Sequence, residues 1–208
     1  MTEFIQEVEL KLQAPLPGLT AHYKMSHVVR QHYRTPPKDA RVACVLALFY
    51  PKDGDSHIVF IERDSSNPND RHKGQISFPG GKYEKEDSTY EQGALREAEE
   101  EVGVNAKDIK VLGNLTELYI PVSNFLVYPF VGFLNYRPEF IPQIGEVKSI
   151  LEVPFADFQK TDIIQETDLK VGQNMTLKNV PYYNVNGKTL WGATAMMMSE
   201  LLEVIQPK

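Results

Sequence analysis

The feature that most constrains this 208-residue chain is a helix signal that begins near residue 88 and ends near residue 103. Ser88 is a good N-cap residue, and Glu91 follows three positions later, so the two form a capping box. Gly103 stands where a helix-terminating glycine belongs. Between these ends an apolar stripe recurs at helical spacing, at Ala94, Leu95, Ala98 and Val102. The sequence therefore predicts a capped helix that packs this stripe against a core.

The same helix carries an acidic face. At about 100° per residue, Glu97, Glu100 and Glu101 share one arc beside the apolar stripe, whereas Glu99 points elsewhere. Like charges at these spacings repel each other, and an isolated acidic run is usually a solvated surface. The alternative is a set of hard oxygen ligands for Mg²⁺ or Mn²⁺. A glycine pair upstream, Gly80-Gly81, favours this alternative because glycine lets a backbone approach a phosphate closely.

Charge and composition exclude several classes of protein. The net charge of −6 disfavours a nucleic-acid binder, although an acidic protein still binds an anionic substrate when metal ions stand between them. The single cysteine, Cys44, is expected to be buried in a strand. No apolar stretch reaches the length of a membrane span, and residues 1–17 lack the pattern of a signal peptide. We therefore expect a cytoplasmic protein with neither a membrane nor a nucleic-acid partner.

Hydrophobic patterning predicts many strands and few helices. Strands are predicted at residues 41–50, 57–62, 75–78, 109–112, 116–120, 127–134, 147–153, 177–180 and 182–185. Helices are predicted at 1–12 and at 193–205, residues 19–40 are polar, and Pro36-Pro37 is predicted to be an extended connector. This mixture is typical of an α/β or α+β sandwich. The length favours a single domain over residues 1–208, with 1–38 as an N-terminal extension packed on it.

Residues 96–104 carry a specific motif, which reads Arg-Glu-Ala-Glu-Glu-Glu-Val-Gly-Val. It resembles the second half of the Nudix box residue for residue. The first half departs, because the arm from Gly81 to Arg96 is one residue longer than usual and Asp87-Ser88 replaces the expected Glu. The resemblance implies a Nudix fold, in which a mixed central sheet lies between helices and the box forms a loop–helix–loop.

The same resemblance implies roles for individual residues. Glu97, Glu100 and Glu101 are expected to bind Mg²⁺ or Mn²⁺, with the backbone oxygen of Gly81 as a further ligand. The metal would neutralise diphosphate oxygens and activate a water molecule. Arg96 is expected to brace a glutamate, which suits an arginine–carboxylate fork.

The longer arm, together with an upstream motif, resembles the coenzyme A diphosphatase branch of this family. The upstream motif comprises Arg63, Ser65, His72, Gly74-Gln75 and Phe78-Pro79-Gly80-Gly81. Asp64 separates the first two of these, and the loop is about two residues longer than the motif requires. The substrate-binding residues predicted from this region are Arg63, His72, Gly74, Gln75 and Lys82.

The upstream loop is also the one concentrated basic patch of the sequence, with Arg63, Arg71, His72 and Lys73. Such a patch favours recognition of the extra ribose phosphate of coenzyme A, and an ordinary solvated loop is the alternative. Glu146 is a weaker candidate for a general base. Tyr119 and Phe125 are candidates to stack on adenine, although core packing is the commoner role of such aromatics.

Three functions remain open at this point. The first is hydrolysis of coenzyme A or acyl-coenzyme A to 3′,5′-ADP and (acyl-)phosphopantetheine. The second is another Nudix diphosphatase activity, on ADP-ribose, a dinucleotide or a nucleoside triphosphate. The third is a nucleotide-binding module without catalysis, which the intact set of three glutamates disfavours. In each case the partner is a small nucleotide-diphosphate molecule, and the resemblance makes a homodimer plausible.

Overall fold

Four helices and eleven strands form the part of the chain that the computed structural model describes, which is residues 2–32, 35–65, 72–171 and 175–205. The helices are α1 (Thr2–Leu12), α2 (Leu19–Lys24), α3 (Tyr90–Val102) and α4 (Gly192–Ile205). The strands are β1 (Arg41–Lys52), β2 (Asp55–Arg63), β3 (Ile76–Ser77), β4 (Gly80–Lys82), β5 (Lys110–Asn114), β6 (Leu118–Ile120), β7 (Phe125–Phe133), β8 (Val147–Pro154), β9 (Ile164–Val171), β10 (Met175–Val185) and β11 (Lys188–Trp191). Short 3₁₀ turns span Val28–His32, Ala106–Asp108 and Phe155–Gln159.

Strand β1 is the centre of a mixed eight-stranded sheet. It runs parallel to β7 and antiparallel to β2 and β4. The main path of the sheet is β3-β2-β1-β7-β5, while β6 pairs with β7 and β8 pairs with β2. A separate antiparallel sheet has the order β11-β10-β9.

Helices cover both faces of the main sheet because the residues of β1 alternate between two cores. One core contains Ala47 and Phe49 together with side chains of α1 and α4. The other contains Leu46 and Leu48 together with the apolar stripe of α3. The predicted mixed sheet between helices is therefore confirmed, and so is the burial of Cys44 in a strand.

The predicted start of α3 was wrong by one residue. Thr89, with an extended backbone, is the N-cap, and its hydroxyl accepts a hydrogen bond from the Gln92 amide at 3.1 Å. The Ser88 amide instead donates to the side-chain oxygen of Gln92, also at 3.1 Å. The capping residues are thus Thr89 and Gln92, because two adjacent hydroxyl residues left the sequence signal degenerate. The predicted end at Gly103 is confirmed, with a left-handed φ of 74°.

Four helices and strands were missing from the predictions, namely α2, β4, β9 and β11. Helix α2 lies within the polar segment 19–40, where no helix was predicted, and its Ala21 and His22 are buried. Strand β9 alternates exposed and half-buried residues, and its charged composition concealed a strand that is held by pairing with β10. In addition, β1 continues through Pro51 and Lys52, two residues beyond its predicted end, and Asp53-Gly54 forms the turn to β2.

The N-terminal segment packs against the sheet. Ile5, Val8 and Leu12 of α1 are buried, and the Lys11 ammonium donates to the carbonyl oxygen of Ile205 at 2.6 Å. The division into a single domain with an extension at 1–38 stays a prediction. In the described part of the chain, no helix has both the length and the apolar character that a membrane span requires.

Candidate active site

The glycine pair holds the box against the sheet. Pairing of β4 with β1 places Gly80 opposite Val45 and Gly81 opposite Cys44. A Cβ at Gly80, whose φ is 152°, would collide with the backbone of both β1 residues. A Cβ at Gly81 would lie 2.5 Å from a carboxylate oxygen of Glu97. Gly80 therefore requires glycine for backbone packing, whereas a side chain at Gly81 would displace the Glu97 carboxylate from its present position.

Glu101 is the most buried acid of the box, with 1% of its surface exposed. One carboxylate oxygen accepts a hydrogen bond from the Gly80 amide at 2.7 Å, and the other accepts one from the Arg63 guanidinium at 3.3 Å. Burial raises the pKa of Glu101 to about 7, against the opposing effects of Gly80 and Arg63 and with help from repulsion by Glu97 and Glu146. This carboxylate is therefore held where its negative charge is poorly compensated.

Arg96 ties the acidic face of α3 to the loop before it. It donates two hydrogen bonds to Asp87, at 2.9 and 3.1 Å. Its remaining terminal nitrogen donates to Glu97 and to Glu100, each at 3.0 Å. Hydrogen bonding to Arg96 keeps the pKa of Asp87 below its usual range. Arg96 is thus a brace, as the sequence predicted, and it braces more acids than a single glutamate.

The pKa of Glu97 is raised in spite of its hydrogen bond with Arg96. Burial raises this pKa, although Arg96 acts in the opposite direction, and the carboxylates of Glu100 and Glu146 raise it further. Glu146 influences both buried acids, so its side chain lies near the box. Its exposed position leaves the predicted role as a general base open to experiment.

The upstream loop reaches the box through Arg63. The backbone of Arg63 accepts a hydrogen bond from the Gly74 amide at 2.8 Å and donates one to the Gln75 carbonyl at 3.0 Å. The imidazole Nδ1 of His72 lies 3.0 Å from the side-chain oxygen of Gln75. Gly74 has a φ of 76°, which a turn glycine adopts readily. Arg71, the fourth residue of the predicted basic patch, lies outside the described residues.

Three other residues were predicted to contact the substrate, namely Lys82, Phe125 and Tyr119. The Lys82 side chain is exposed, and its carbonyl oxygen accepts from Arg96 at 3.1 Å. The ring of Phe125 lies 4.1 Å beneath the Arg41 guanidinium. Tyr119 bonds through its hydroxyl to Asn124 at 3.0 Å, and its carbonyl accepts from Arg30. The contacts of both aromatics are thus with residues outside the box.

Sequence reasoning missed two buried acids, Asp87 beside the box and Glu62 on β2. Asp87 was noted only as a departure from the motif, yet the longer arm that carries it was the available signal. Glu62 ends the buried part of β2 and accepts from Lys148 at 2.6 Å, Lys188 at 2.9 Å and Ser149 at 3.1 Å. Hydrogen bonds from the two lysines lower the pKa of Glu62 to about 2. These partners come from β8 and β11, so the sequence offered no local signal for them.

Comparison with known proteins assigns this arrangement to a family. The NUDIX domain model matches residues 9–171. The chain belongs to the Nudix family. The chain is 31% identical over 162 residues to "Nudix hydrolase 15, mitochondrial" of Arabidopsis thaliana, an alignment that covers 76% of this chain and 56% of that protein. It is 29% identical over 206 residues to the uncharacterized Nudix hydrolase NudL of Yersinia pestis (strain Pestoides F), covering 99% of this chain and 94% of that one.

A solved structure supports the fold independently. A MutT/nudix family protein from Enterococcus faecalis superposes with a TM-score of 0.53 at 14% identity, covering 91% of this chain and 74% of that one. At this identity the likeness concerns the fold alone. The relatives are named as hydrolases, and the chain spans 56% of the length of the Arabidopsis thaliana protein.

The donor set of the Nudix box suits a hard divalent cation, because it consists entirely of oxygen atoms. Burial raises the pKa of Glu97 and of Glu101, repulsion from neighbouring carboxylates adds to the effect, and a cation would favour the charged forms. As the side chains stand, they are oriented toward Arg96 and Arg63. Among the described residues, no three Asp, Glu, His or Cys side chains converge on one position where they could hold a metal ion.

Proposed function

We propose that this Nudix hydrolase is a Mg²⁺- or Mn²⁺-dependent diphosphatase that cleaves coenzyme A or acyl-coenzyme A to 3′,5′-ADP and (acyl-)phosphopantetheine. The observation that carries the proposal is the position of Arg63. Its backbone closes the upstream loop on Gly74 and Gln75, while its guanidinium contacts Glu101 of the box. This contact supports a single site that includes both of the motifs that resemble the coenzyme A branch.

In this proposal Glu97, Glu100 and Glu101 hold the metal, together with the carbonyl oxygen of Gly81. A bound Mg²⁺ or Mn²⁺ supplies neutralisation of the diphosphate oxygens and a lowered pKa for water. The reaction replaces one phosphorus–oxygen bond of the anhydride with a bond to the oxygen of water. Arg96 keeps Glu97 and Glu100 on one side of the helix and fixes the longer arm through Asp87.

Recognition of the ribose phosphate falls to the upstream loop. The upstream loop carries Arg63, His72 and Lys73, and the Arg63 guanidinium contacts Glu101 of the box. The Lys73 ammonium pairs with Asp64 at 3.0 Å and remains largely exposed. Guanidinium and ammonium groups bind phosphate oxygens well, and a dianionic phosphate competes effectively with one exposed carboxylate. The proposal therefore places specificity for the 3′-phosphate in this loop, and catalysis in α3.

The test is product analysis of the full chain with coenzyme A, dephospho-coenzyme A, ADP-ribose and NADH, each with Mg²⁺ or Mn²⁺. Glu101→Gln is the inactive variant, because an amide still accepts the Gly80 hydrogen bond but binds a cation poorly. Glu99→Gln is its matched control, since this acid is exposed on the same helix and points away from the site. Arg63→Met tests the upstream loop.

The expected result is fastest cleavage of coenzyme A, slower cleavage of dephospho-coenzyme A, an inactive Glu101→Gln and an unchanged Glu99→Gln. If another substrate is cleaved faster than coenzyme A while Glu101→Gln stays inactive, the diphosphatase assignment is supported and the coenzyme A assignment is wrong. If nucleotides bind and none is cleaved, the enzymatic assignment itself is wrong, and the alternative of a binding module gains support.

A further inference from the structure

A groove of about 410 Å³ lies between β8 and the segment that follows β7. Four of its lining residues are apolar, namely Pro138, Phe140, Pro142 and Ile150. Pro138 is buried, while Phe140 and Ile150 are half-buried and pack against the core that contains the apolar stripe of α3. Apolar walls and a volume of roughly 300–1,000 Å³ are typical of sites that bind small organic molecules.

The segment that lines the groove also contacts the end of α3. The Ile141 amide donates a hydrogen bond to the Val102 carbonyl at 3.0 Å, and the Gln143 amide donates one to the Glu101 carbonyl at 3.1 Å. The groove is therefore connected, through a few residues of backbone, to the most buried acid of the Nudix box.

Strand β8 provides a second connection between the groove and the box. Its Val147 pairs with Arg63, and its Ile150 pairs with Ile61 on the sheet face that α3 covers. At about 3.4 Å per residue, Ile150 lies about 7 Å along β2 from Arg63, the arginine that contacts Glu101. The groove and the candidate active site thus lie on one face of the main sheet, end to end along β8.

The charges around the groove do not favour an anion. Arg137 pairs with Glu152 at 3.0 Å, Lys52 contacts the same carboxylate at 3.1 Å, and Glu139 is exposed. The described residues that line the groove therefore include one cation and two anions. A phosphate would be repelled by such a lining, whereas an uncharged apolar group meets the four apolar residues.

We propose that this groove receives the acyl chain of an acyl-coenzyme A, so that the enzyme prefers esters of coenzyme A to the free thiol. The inference rests on the proposed function, because it assigns a further part of the same substrate. In such a substrate the acyl chain lies at the far end of an uncharged pantetheine arm. With the diphosphate at α3 and the ribose phosphate at the upstream loop, that arm extends along β8 toward Phe140, Pro142 and Ile150.

The test is the dependence of kcat and KM on chain length, with coenzyme A and its acetyl, butanoyl and octanoyl esters, on the full chain with Mg²⁺ or Mn²⁺. We expect kcat/KM to rise about fourfold for each methylene that the groove buries. The rise should come from a lower KM at similar kcat, because contacts remote from the reacting phosphorus stabilise ground state and transition state alike.

This experiment separates the two proposals. If all four compounds are cleaved with equal kcat/KM, the groove does not bind the acyl chain, and the proposed diphosphatase function is unaffected. If none of the four is cleaved, the proposed function is wrong, and the assignment of the groove is wrong with it.

Two variants locate the acyl chain. Pro142→Trp fills the groove, and Ile150→Thr makes its wall polar while keeping a β-branched side chain. Both are expected to lower the ratio of kcat/KM for octanoyl-coenzyme A to kcat/KM for coenzyme A by about fivefold or more. Val122→Trp is the matched control and should keep the wild-type ratio, since Val122 is 61% exposed in the turn before β7 and lies outside the groove.

The ratio is insensitive to partial unfolding, because both rates are measured on one preparation. A wild-type ratio in both Pro142→Trp and Ile150→Thr would contradict the proposed location. An equal loss in Val122→Trp would contradict it as well, because the effect would then not depend on the groove.

Discussion

Two buried glutamates, Glu101 in α3 and Glu200 in α4, lie on opposite sides of the main sheet in different electrostatic states. Glu200 is completely buried, and its two oxygens accept hydrogen bonds from the amides of Gly18 and Thr116, the Thr116 hydroxyl and the His22 imidazole. These partners lower its pKa in spite of burial. Glu101 has two partners, and burial raises its pKa to about 7.

The difference separates a structural acid from a functional one. The protein satisfies the charge of Glu200 completely, and so gains a bridge that joins α2, α4 and the segment before β6. It leaves the charge of Glu101 partly uncompensated beside two other glutamates. Strongly perturbed acids in such surroundings are frequent at functional sites, because a ligand supplies the missing compensation. The comparison therefore predicts that Glu200 supports stability and that Glu101 supports activity.

The largest expected effect is on stability at Glu200. Glu200→Ala removes the acceptor of four hydrogen bonds inside the core, and we expect it to lower the free energy of unfolding by about 3–5 kcal/mol. Chemical denaturation measures this change. The matched control is Glu203→Ala, one turn later in α4, which removes a partly exposed pair with Lys24 and should cost less than about 1 kcal/mol. Similar losses in the two variants would remove the basis of the comparison.

The second effect is on turnover at Glu101. Glu101→Gln is expected to lower kcat/KM by at least about a hundredfold, as loss of groups that bind or support a catalytic metal commonly does. Without metal its stability should be retained or increased, because a poorly compensated charge has been removed. Steady-state kinetics and thermal melts of the same preparation measure both quantities. A variant that loses stability as much as Glu200→Ala would assign Glu101 a structural role.

The third effect is a dependence of stability on pH, of opposite sign for the two acids. The folded pKa of Glu101 is about 7, against 4.5 ordinarily, so between these values the folded protein keeps a proton that the unfolded chain has released. Stability of the metal-free protein should therefore fall by a few kcal/mol from about pH 5 to about pH 8. Glu200 has a lowered pKa, so its contribution is present at neutral pH and is lost as the solution becomes acidic.

Denaturation curves across this pH range, with wild type and Glu101→Gln side by side, check the sign. The variant should lose the decline between about pH 5 and about pH 8 and keep the acid instability that Glu200 causes. An identical decline in both proteins would assign it to another group.

The smallest effect concerns the start of the helix that carries Glu101. Thr89→Ala removes the N-cap hydroxyl and should cost about 1 kcal/mol, whereas Ser88→Ala should cost only a few tenths. Urea denaturation resolves a difference of this size when the two variants are measured together. A larger loss of stability in Ser88→Ala than in Thr89→Ala would show that Ser88 is the N-cap, as the sequence predicted.

The sequence predicted those parts of the fold that depend on local patterning. Helices α1, α3 and α4 were recognised from apolar spacing, and strands β1, β2, β7 and β8 from apolar runs. Helix α2 and strand β9 were missed because packing and pairing with distant segments stabilise them, and neither carries a strong local pattern. The N-cap was wrong because Ser88 and Thr89 are chemically equivalent candidates.

In the candidate site, too, the features that depend on local spacing were predicted and those that depend on the fold were not. The acidic face of α3 and the brace at Arg96 could be read from spacing and from the resemblance to the Nudix box. The partners of Arg96 and Glu101 in space, Asp87 and Arg63, required the fold. Glu200 had a weak signal, since it is one of two acids in the otherwise apolar helix α4, and an acid that is buried there needs a partner. The roles of the box glutamates as metal ligands stay a prediction.

The most direct test of the central claim is the change in unfolding free energy that Mn²⁺ produces at pH 8, measured for wild type, Glu101→Gln and Glu200→Gln. Wild type and Glu200→Gln should both gain stability as Mn²⁺ is added, by about 2.7 kcal/mol at a hundredfold excess over the dissociation constant. Glu101→Gln should gain little or nothing at the same concentration. If Glu101→Gln gains as much as wild type, or if wild type gains nothing, the uncompensated charge of Glu101 does not mark a metal site.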